Sequence, residues 1–400
     1  MKLVLIADTF PPLRTSGAVQ VRDLAREFVR QGHELTVLLP DGDLDQPWRL
    51  ENVDNAQILR LRSPRIKDIS YVRRTIGEYL MPYAMWKNLH RSPLSTQRWE
   101  AVVWYSPSIF HGPLVRKLKR QSDCRGYLII RDIFPEWALD LGILNPGPSY
   151  NLLKWMAAQQ YQIADIIGVQ SPGNLEYFKH WHEARKGRSI EVLQNWLDKR
   201  TSVRCSIRID ETSLAGRKIL VHAGNMGVAQ GLDTFIELAD RMKTRQDIGF
   251  LFVGRGTKAS TLRRAATARG LDNILFHGEI EPDEIPDLYA QCSAGIVSLD
   301  PRHKSHNIPG KFLSYMQNSL PVFANVNAGN DLAELIRSQR VGEVCETNNL
   351  DDLEQHCIAL VDRLSGDPGL PDRCFRLFES QFSVSRAVQQ LIFSLNRKYE

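Results

Sequence analysis

Residues 218–243 read KILVHAGNMGVAQGLDTFIELADRMK, and the fold class is predicted from this stretch. The run at 218–222 is typical of a buried strand, a glycine-containing turn follows it, and helical periodicity begins near Leu232. Glycines between a strand and a helix let a phosphate or a sugar approach the backbone. Gly224 and Asn225 are therefore candidate ligand-binding residues, although an ordinary tight turn would explain the same pattern.

Strand and helix patterns also alternate on both sides of that stretch. Strand patterns lie at 3–6, 35–39, 58–61, 101–105, 127–130 and 166–169 before it, and at 250–253, 274–277, 294–297 and 322–324 after it. Strands separated by helices predict parallel, doubly wound α/β sheets. A chain of 400 residues predicts two such domains.

The predicted domains are two Rossmann-like units at 1–195 and 196–381, with the helical segment at 382–400 packing back on the first. The polar stretch 195–214 is the predicted linker, because it has no periodic apolar pattern. Ligands of open α/β sheets bind beyond the carboxyl ends of the strands. A cleft between the two domains is therefore the predicted active site.

Composition excludes several classes of protein. The sequence contains no run of about 18 apolar residues, so no membrane-spanning helix is predicted. Its six cysteines form no C-x-x-C pair, so neither a zinc site nor disulfides are predicted, which suits the cytoplasm. Basic and aromatic residues cluster at 60–87, and further basic residues at 116–120, within a net charge of +5. This pattern favours contact with anionic lipid, but a solvated helix face would explain it equally well. No nucleic-acid-binding module is recognisable.

The segment 303–311 reads HKSHNIPGK and also connects a strand pattern to a helix pattern. Its backbone amides and the Lys311 ammonium are predicted to bind a diphosphate. His303 and His306 have no third ligand nearby in the sequence, so no metal is predicted.

Three further groups follow predicted strands. Arg131 and Asp132 come after the strand at 127–130, where they suit sugar hydroxyls and charge stabilisation; an N-capping Asp beside a surface Arg is the alternative. Ser16 and Gly17 follow the first strand, and Gly254 and Arg255 follow the strand at 250–253. The D-x-D sequence at 43–45 lies in an acidic polar loop and is interpreted as solvated.

Taken together, these motifs resemble glycosyltransferase family 4, the retaining enzymes of GT-B fold. The resemblance rests on the order of FPP at 10–12, GHELTV at 32–37, AGN at 223–225, FVG at 252–254, HG at 277–278 and IPGK at 308–311. RDIFPE at 131–136 and HNIPGKFLSYM at 306–316 are similar to bacterial transferases of N-acetyl-L-fucosamine in surface polysaccharide assembly.

The residues and the resemblance together assign roles to particular side chains. The catalytic residues are Asp132, Arg131 and Lys311, and the acceptor-binding residues are Ser16, Arg131, Asp132 and Glu136. The donor-binding residues are Gly17, Gly224, Asn225, Gly254, Arg255, His306, Asn307, Ile308, Pro309, Gly310, Lys311 and Ser314. The resemblance implies a UDP-sugar donor, no cofactor and no metal, and a polyprenyl-diphosphate-linked saccharide acceptor in O-antigen or capsule synthesis. It also implies a cytoplasmic protein that contacts the inner membrane peripherally.

The chain departs from the family pattern at two places. His306 and Ser314 stand at the spacing of the family's Glu-x7-Glu pair, and Asn225 and Gln230 stand where an Arg and a Lys are usual. Ser314 in place of Glu implies a different contact with the donor ribose or sugar. Two other functions therefore remain open: a nucleotide-sugar 2-epimerase of the same fold, and a non-catalytic subunit that binds a nucleotide sugar.

Overall fold

A computed structural model describes residues 1–13, 15–67, 69–140, 142–199, 201–300 and 308–397. The chain divides into two compact units. Unit 1 consists of Met1–Trp196 together with Val384–Glu400, and unit 2 is Leu197–Ser383. The chain enters unit 2 at Leu197 and leaves it at Ser383, and these two residues form a β-bridge in which the Leu197 amide donates to Phe382.

Strands and helices alternate along the described residues. The strands are β1 (Lys2–Ile6), β2 (Glu34–Asp41), β3 (Trp48–Val53), β4 (Ala56–Arg62), β5 (Ala101–Tyr105), β6 (Arg125–Ile130), β7 (Ile166–Val169), β8 (Ser189–Val192), β9 (Lys218–Ala223), β10 (Ile248–Val253), β11 (Ile274–His277), β12 (Ala294–Ser298), β13 (Val322–Asn325) and β14 (Gly342–Cys345). The α-helices are α1 (Ser16–Arg30), α2 (Tyr71–Leu89), α3 (Gly112–Ser122), α4 (Glu136–Asp140), α5 (Pro148–Tyr161), α6 (Lys179–Glu183), α7 (Asp233–Arg241), α8 (Ala259–Ala268), α9 (Ile285–Ala290), α10 (Gly310–Gln317), α11 (Asp331–Gln339), α12 (Leu350–Gly366), α13 (Leu370–Leu377) and α14 (Val384–Asn396).

The sheet of unit 1 has the strand order β3-β4-β2-β1-β5-β6-β7-β8 and is parallel apart from the β3–β4 hairpin. Helices cover both faces, so the central strands are apolar on both sides. In β1, Leu3 and Leu5 pack into the core beneath α1 and α14, whereas Val4 and Ile6 pack into the core beneath α2 and α3. The predicted doubly wound α/β class is confirmed for this unit.

The sheet of unit 2 has the order β11-β10-β9-β12-β13-β14 and is parallel. This is the Rossmann order, in which the chain reverses its direction across the sheet between β9 and β12. That reversal opens a crevice at the carboxyl ends of these two strands, where ligands of such sheets bind. The fold of unit 2 therefore fixes where a candidate site is sought.

The segment predicted as a linker packs into unit 2 instead. Cys205, Ile207, Ile209 and Leu214 are all buried in the same core cluster as the β9 residues Ile219 and Val221. These apolar residues are few and stand among polar neighbours, so they form no long apolar period that would predict a packed segment.

The C-terminal helix α14 packs against α1 in unit 1. Val388 and Leu391 are fully buried in the core cluster that contains Phe28 of α1. None of the helices within the described residues has both the length and the apolarity that crossing a bilayer requires.

Candidate functional site

Helix α10 is fixed at the crevice between β9 and β12 by Tyr315. The Tyr315 hydroxyl lies 3.1 Å from the carbonyl oxygens of both Val221 and Ile296, one on each strand. Its ring covers Gly295, where an added Cβ would come within 2.4 Å of the ring. A glycine in β12 therefore provides the space that lets the aromatic residue hold α10 at the sheet edge.

The Lys311 ammonium lies against the turn that follows β9. An added Cβ on Gly224 would meet Cε and Nζ of Lys311 at 2.9 and 3.1 Å, and Gly224 has a φ of +135°. Burial lowers the pKa of Lys311 to about 8. Among the described residues, no carboxylate pairs with this ammonium to offset its lost hydration. A partly desolvated cation at a strand end is well suited to bind an anion.

The start of α10 adds unsatisfied donors at the same place. Its N-cap is Pro309, which supplies no capping side chain, and its first turn contains no acidic residue. The first amides of a helix have no partner within the helix and favour negative charge. The predicted donor-binding residues Ile308, Pro309, Gly310 and Lys311 therefore meet at one point.

Other predicted donor-binding residues lie near this point or outside the described residues. Ser314 is half-buried on α10, about one turn beyond Lys311. His306 and Asn307 lie outside the described residues, as do His303 and Lys304.

Two glycine turns pack backbone against backbone beside Lys311. An added Cβ would lie 2.2 Å from the Gly224 carbonyl oxygen at Gly254 and 2.4 Å from that of Met226 at Gly256. The Gly224 amide donates to Val253 and the Met226 amide donates to Arg255, each at 2.8 Å. The Gly224 N–H is therefore used within the protein, and what this glycine offers a ligand is space.

Asn225 and Gln230 bind each other. The Asn225 side-chain amide donates to the Gln230 side chain at 3.2 Å, and the same Gln230 oxygen accepts from the Gly227 amide at 2.9 Å. These two residues close the loop after β9 where the family resemblance leads one to expect two cations. The Lys311 ammonium is the cation that the structure places against Gly224 in this loop.

An open groove of about 440 Å³ lies beside these loops in unit 2. Ile280, Pro282 and Ile285 give it apolar walls, and Arg255 and Glu279 lie at its polar side. Arg255 Nε lies 3.1 Å from Glu279, and both side chains are largely exposed. An apolar wall beside paired polar groups suits a planar nucleotide base.

His222 is a residue of this edge to which sequence reasoning assigned no role. It is buried on β9, and burial together with the nearby Lys311 lowers its pKa to about 3. Its neutral ring donates from Nε2 to the Asn225 carbonyl oxygen at 3.2 Å. The signal available in the sequence was a polar residue inside a strand that is otherwise apolar from Ile219 onward.

Arg131 is held in one orientation at the carboxyl edge of the unit 1 sheet. Its guanidinium donates to Gln20 at 2.5 Å, to the Tyr105 hydroxyl at 3.1 Å and to the Ser16 hydroxyl at 3.0 Å. An added Cβ on Gly17 would lie 3.6 Å from the same guanidinium. The predicted residues Ser16, Gly17 and Arg131 therefore come together, although Gln20 and Tyr105 were not predicted.

Asp132 follows Arg131 and is partly buried. Burial raises the pKa of its carboxyl, and the positive charge of Arg131 opposes that rise. A carboxylate with a raised pKa beside a fixed cation is suited to proton exchange or to charge stabilisation.

Glu136 has different neighbours. It accepts a hydrogen bond from Tyr177 at 2.5 Å and lies 3.5 Å from the Tyr150 hydroxyl and 3.7 Å from the Lys154 ammonium. Its other carboxylate oxygen is buried and has no partner among the described residues. These contacts connect α4 with α5, which is a structural role beside the predicted acceptor-binding one.

His111 is a second residue that sequence reasoning did not select. It is fully buried just before α3, and both ring nitrogens have no hydrogen-bond partner among the described residues. Burial lowers its pKa, and the charge of nearby Asp8 opposes that effect. Buried polar groups are normally paired, so the His111 ring is an exception among the described residues.

A cavity of about 420 Å³ lies at the carboxyl ends of β1, β2 and β4 in unit 1, with Arg60 and Lys67 among its walls. Asp43 at its rim is exposed and pairs with Arg65 at 2.6 Å, which agrees with its interpretation as a solvated residue. Within the described residues, no three His, Cys, Asp or Glu side chains are grouped so as to hold a metal ion.

The chain is similar in sequence to known glycosyltransferases. Residues 217–363 match the family described as "Glycosyl transferases group 1". The chain is 23% identical over 381 residues to the putative colanic acid biosynthesis glycosyl transferase WcaI of Escherichia coli, covering 87% of this chain and 86% of that protein.

Two solved structures share the fold over almost the full length. The sucrose-phosphate synthase of Thermosynechococcus elongatus superposes with a TM-score of 0.68 at 14% identity, covering 98% of this chain and 97% of that one. Anabaena HepE in complex with UDP gives 0.68 at 14% identity, with 99% of each chain covered. The chain therefore has the GT-B fold that the sequence predicted, and its residues 217–363 match the group 1 glycosyltransferases.

Proposed function

We propose that this protein is a retaining glycosyltransferase that moves a sugar from a UDP-sugar to a lipid-linked saccharide in bacterial surface polysaccharide synthesis. The observation that carries the proposal is the Lys311 ammonium, which packs against Gly224 at the crevice of unit 2 and opens a helix without an acidic cap. The similarity to glycosyltransferases over 87% of the chain supports the same reaction class.

In this proposal unit 2 binds the donor. The base occupies the groove lined by Ile280 and Ile285, and the diphosphate lies at Gly310 and Lys311. Fixed amides and an ammonium stabilise the negative charge that develops on the UDP leaving group. UDP in the HepE complex supports this choice of nucleotide.

Unit 1 binds the acceptor in the same proposal. Arg131, held by Ser16 and Gln20, fixes the position of the acceptor, and Asp132 exchanges a proton with it or stabilises charge. The donor sugar is an N-acetylated amino sugar such as N-acetyl-L-fucosamine, as the resemblance at 306–316 implies. A polyprenyl-diphosphate-linked acceptor implies work at the cytoplasmic face of the inner membrane.

The test is transfer itself. The purified protein is incubated with a panel of nucleotide sugars and lipid-linked monosaccharides in the presence of a chelator, and products are detected by mass spectrometry. We expect a mass increase of one sugar on one acceptor, which Lys311→Met abolishes. Lys243→Met removes an exposed lysine of the same unit and serves as the matched control.

Two outcomes would contradict the proposal. Conversion of the donor without any acceptor would indicate the epimerase. UDP binding without transfer to any acceptor of the panel would indicate the non-catalytic subunit.

A further inference from the structure

Helices α2, α3 and α5 form one layer on one face of the unit 1 sheet. Helix α3 packs against both α2 and α5, and residues from all three share the core cluster with Val4 and Ile6 of β1. The outer sides of these helices therefore belong to one surface, here called the α2–α3–α5 face.

This face is strongly basic. Within the three helices one carboxylate, Glu78, occurs beside eight basic residues: Arg73, Arg74, Lys87, Arg116, Lys117, Lys119, Arg120 and Lys154. Glu78 is largely buried and pairs with Arg74 at 2.9 Å. Lys119 turns inward to Asp165 and Lys154 pairs with Glu136 at 3.7 Å, so the other cations of the three helices set the charge of the outer surface.

The same face exposes large apolar side chains. Val72, Ile76, Tyr79 and Tyr83 follow one another at helical spacing on α2, and Val72 is 72% exposed. Trp155 of α5 is 57% exposed. A soluble domain rarely leaves a continuous stripe of this kind in water unless something binds it.

The apolar and basic groups meet in a shallow cavity of about 180 Å³. Tyr79 and Tyr83 from α2, Arg116 from α3 and Trp155 from α5 all line it. The Lys117 ammonium lies 5.2 Å from the Trp86 ring, so a second cation and ring are paired close by. Aromatic rings and basic side chains are therefore mixed across this helix layer and do not form separate patches.

We propose that the α2–α3–α5 face binds the surface of a lipid bilayer that contains anionic phospholipids. Tyr and Trp rings are suited to the depth of the headgroups, where one end is apolar and the other is wet. Cations around them are attracted to anionic headgroups, and an almost complete lack of carboxylates avoids repulsion. Charge complementarity selects an anionic membrane as the occupant.

This inference deepens the proposed function. It rests on that function only for the reason why the protein would bind a membrane. A lipid-linked acceptor is located in a membrane, so the protein has to bind there to reach it. The α2–α3–α5 face is the surface that would contact the bilayer. Binding to vesicles requires neither a donor nor transfer, so the two proposals can fail separately.

The experiment is co-sedimentation of the full-length protein with large unilamellar vesicles. Vesicles of phosphatidylethanolamine and phosphatidylglycerol are compared with vesicles of phosphatidylcholine alone, at low and at high salt. We expect binding to the anionic vesicles at low salt, at least about tenfold weaker binding to phosphatidylcholine, and loss of the difference at high salt.

Charge reversal at two exposed positions tests the face itself. Lys87→Glu with Arg116→Glu is expected to weaken binding to anionic vesicles by at least about tenfold. Arg386→Glu with Arg397→Glu changes the charge by the same amount at exposed positions on α14 and directly after it. Because α14 belongs to the core cluster on the opposite face of the sheet, this pair is expected to bind as the wild type does. A second variant, Trp155→Ser, is expected to weaken binding without changing its dependence on salt.

The proposal is overturned if the protein does not bind anionic vesicles at low salt, or if the control pair weakens binding as much as the test pair. Transfer to a detergent-solubilised acceptor is measured on the same variants. Normal transfer with lost vesicle binding supports the face. Normal vesicle binding with no transfer by the wild type contradicts the proposed function but still supports membrane binding by the α2–α3–α5 face.

Discussion

At the scale of single residues, the protonation of Lys311 links the structure to pH. Its pKa is lowered from 10.5 to about 8 because burial disfavours the ammonium. Between these two values the unfolded chain binds more protons than the folded protein. The free energy of unfolding of the free protein therefore gains a contribution that increases with pH across this window.

We expect UDP binding to show the opposite trend. As the pH rises from about 7 to about 9.5, Lys311 loses its proton and the affinity falls by about tenfold, the worth of one charge-assisted hydrogen bond. Isothermal titration calorimetry measures this trend. Lys311→Arg keeps its charge and should flatten it, and Lys311→Met gives the baseline for the titration of UDP itself. A wild-type pH profile that matches Lys311→Met would contradict this role.

Arg131 owes its orientation to three acceptors that a lysine could not reach at once. We expect Arg131→Lys to lower kcat/KM for the acceptor by about tenfold or more, because the planar guanidinium is lost, and to leave UDP affinity unchanged. Steady-state kinetics with varied acceptor measures the effect. Arg98→Lys, at an exposed position of the same unit, is the matched control. Wild-type acceptor kinetics in Arg131→Lys would remove this residue from the site.

At the scale of elements, the turns after β9 and β10 depend on glycine for their packing. We expect Gly254→Ala to destabilise the protein by about 2 kcal/mol or more, because its Cβ would overlap the Gly224 carbonyl and its φ of +135° disfavours a side chain. Thermal unfolding measures this as a fall of several degrees. Gly278→Ala, where a Cβ meets open space, should melt within about 2 °C of the wild type. Equal melting temperatures for the two variants would contradict the packing argument.

Mutation of the hydrogen-bonded pair Glu136 and Tyr177 distinguishes two roles for Glu136, a structural one and a contact with the acceptor. If the carboxylate joins α4 to its neighbours, Tyr177→Phe and Glu136→Gln each cost about 1.5–3 kcal/mol, and a double-mutant cycle shows strong coupling. Urea unfolding measures these costs. A change of acceptor KM in Glu136→Gln with unchanged stability would instead support the predicted acceptor contact.

Most strands could be predicted because parallel, doubly covered strands are continuous apolar runs, as in β5 and β7. The edge strands β3, β8 and β14 were missed, because each contains at least one charged residue and none is a continuous apolar run. At the site, the strand-turn-helix motifs predicted that Gly224 and Lys311 would matter. The contacts of Tyr315 and Gln20 could not be predicted, because each depends on packing between segments that are distant in sequence.

At the scale of the whole molecule, we expect transfer to continue in the presence of a chelator. The reason is that Lys311 and the start of α10 supply the positive charge that a magnesium ion would otherwise provide. Product formation is measured with EDTA and again after magnesium is added back. A loss of activity with EDTA that magnesium restores would contradict this expectation.

The β-bridge between Leu197 and Ser383 has an evolutionary consequence. Unit 2 is one uninterrupted stretch of chain whose two ends adjoin each other. Such a stretch can be exchanged as a cassette, because the host polypeptide is opened at a single place and its own terminal helix stays docked. If unit 2 binds the donor and unit 1 the acceptor, as proposed, recombination at these two codons is a route by which a lineage could acquire a new activated sugar while keeping its old acceptor.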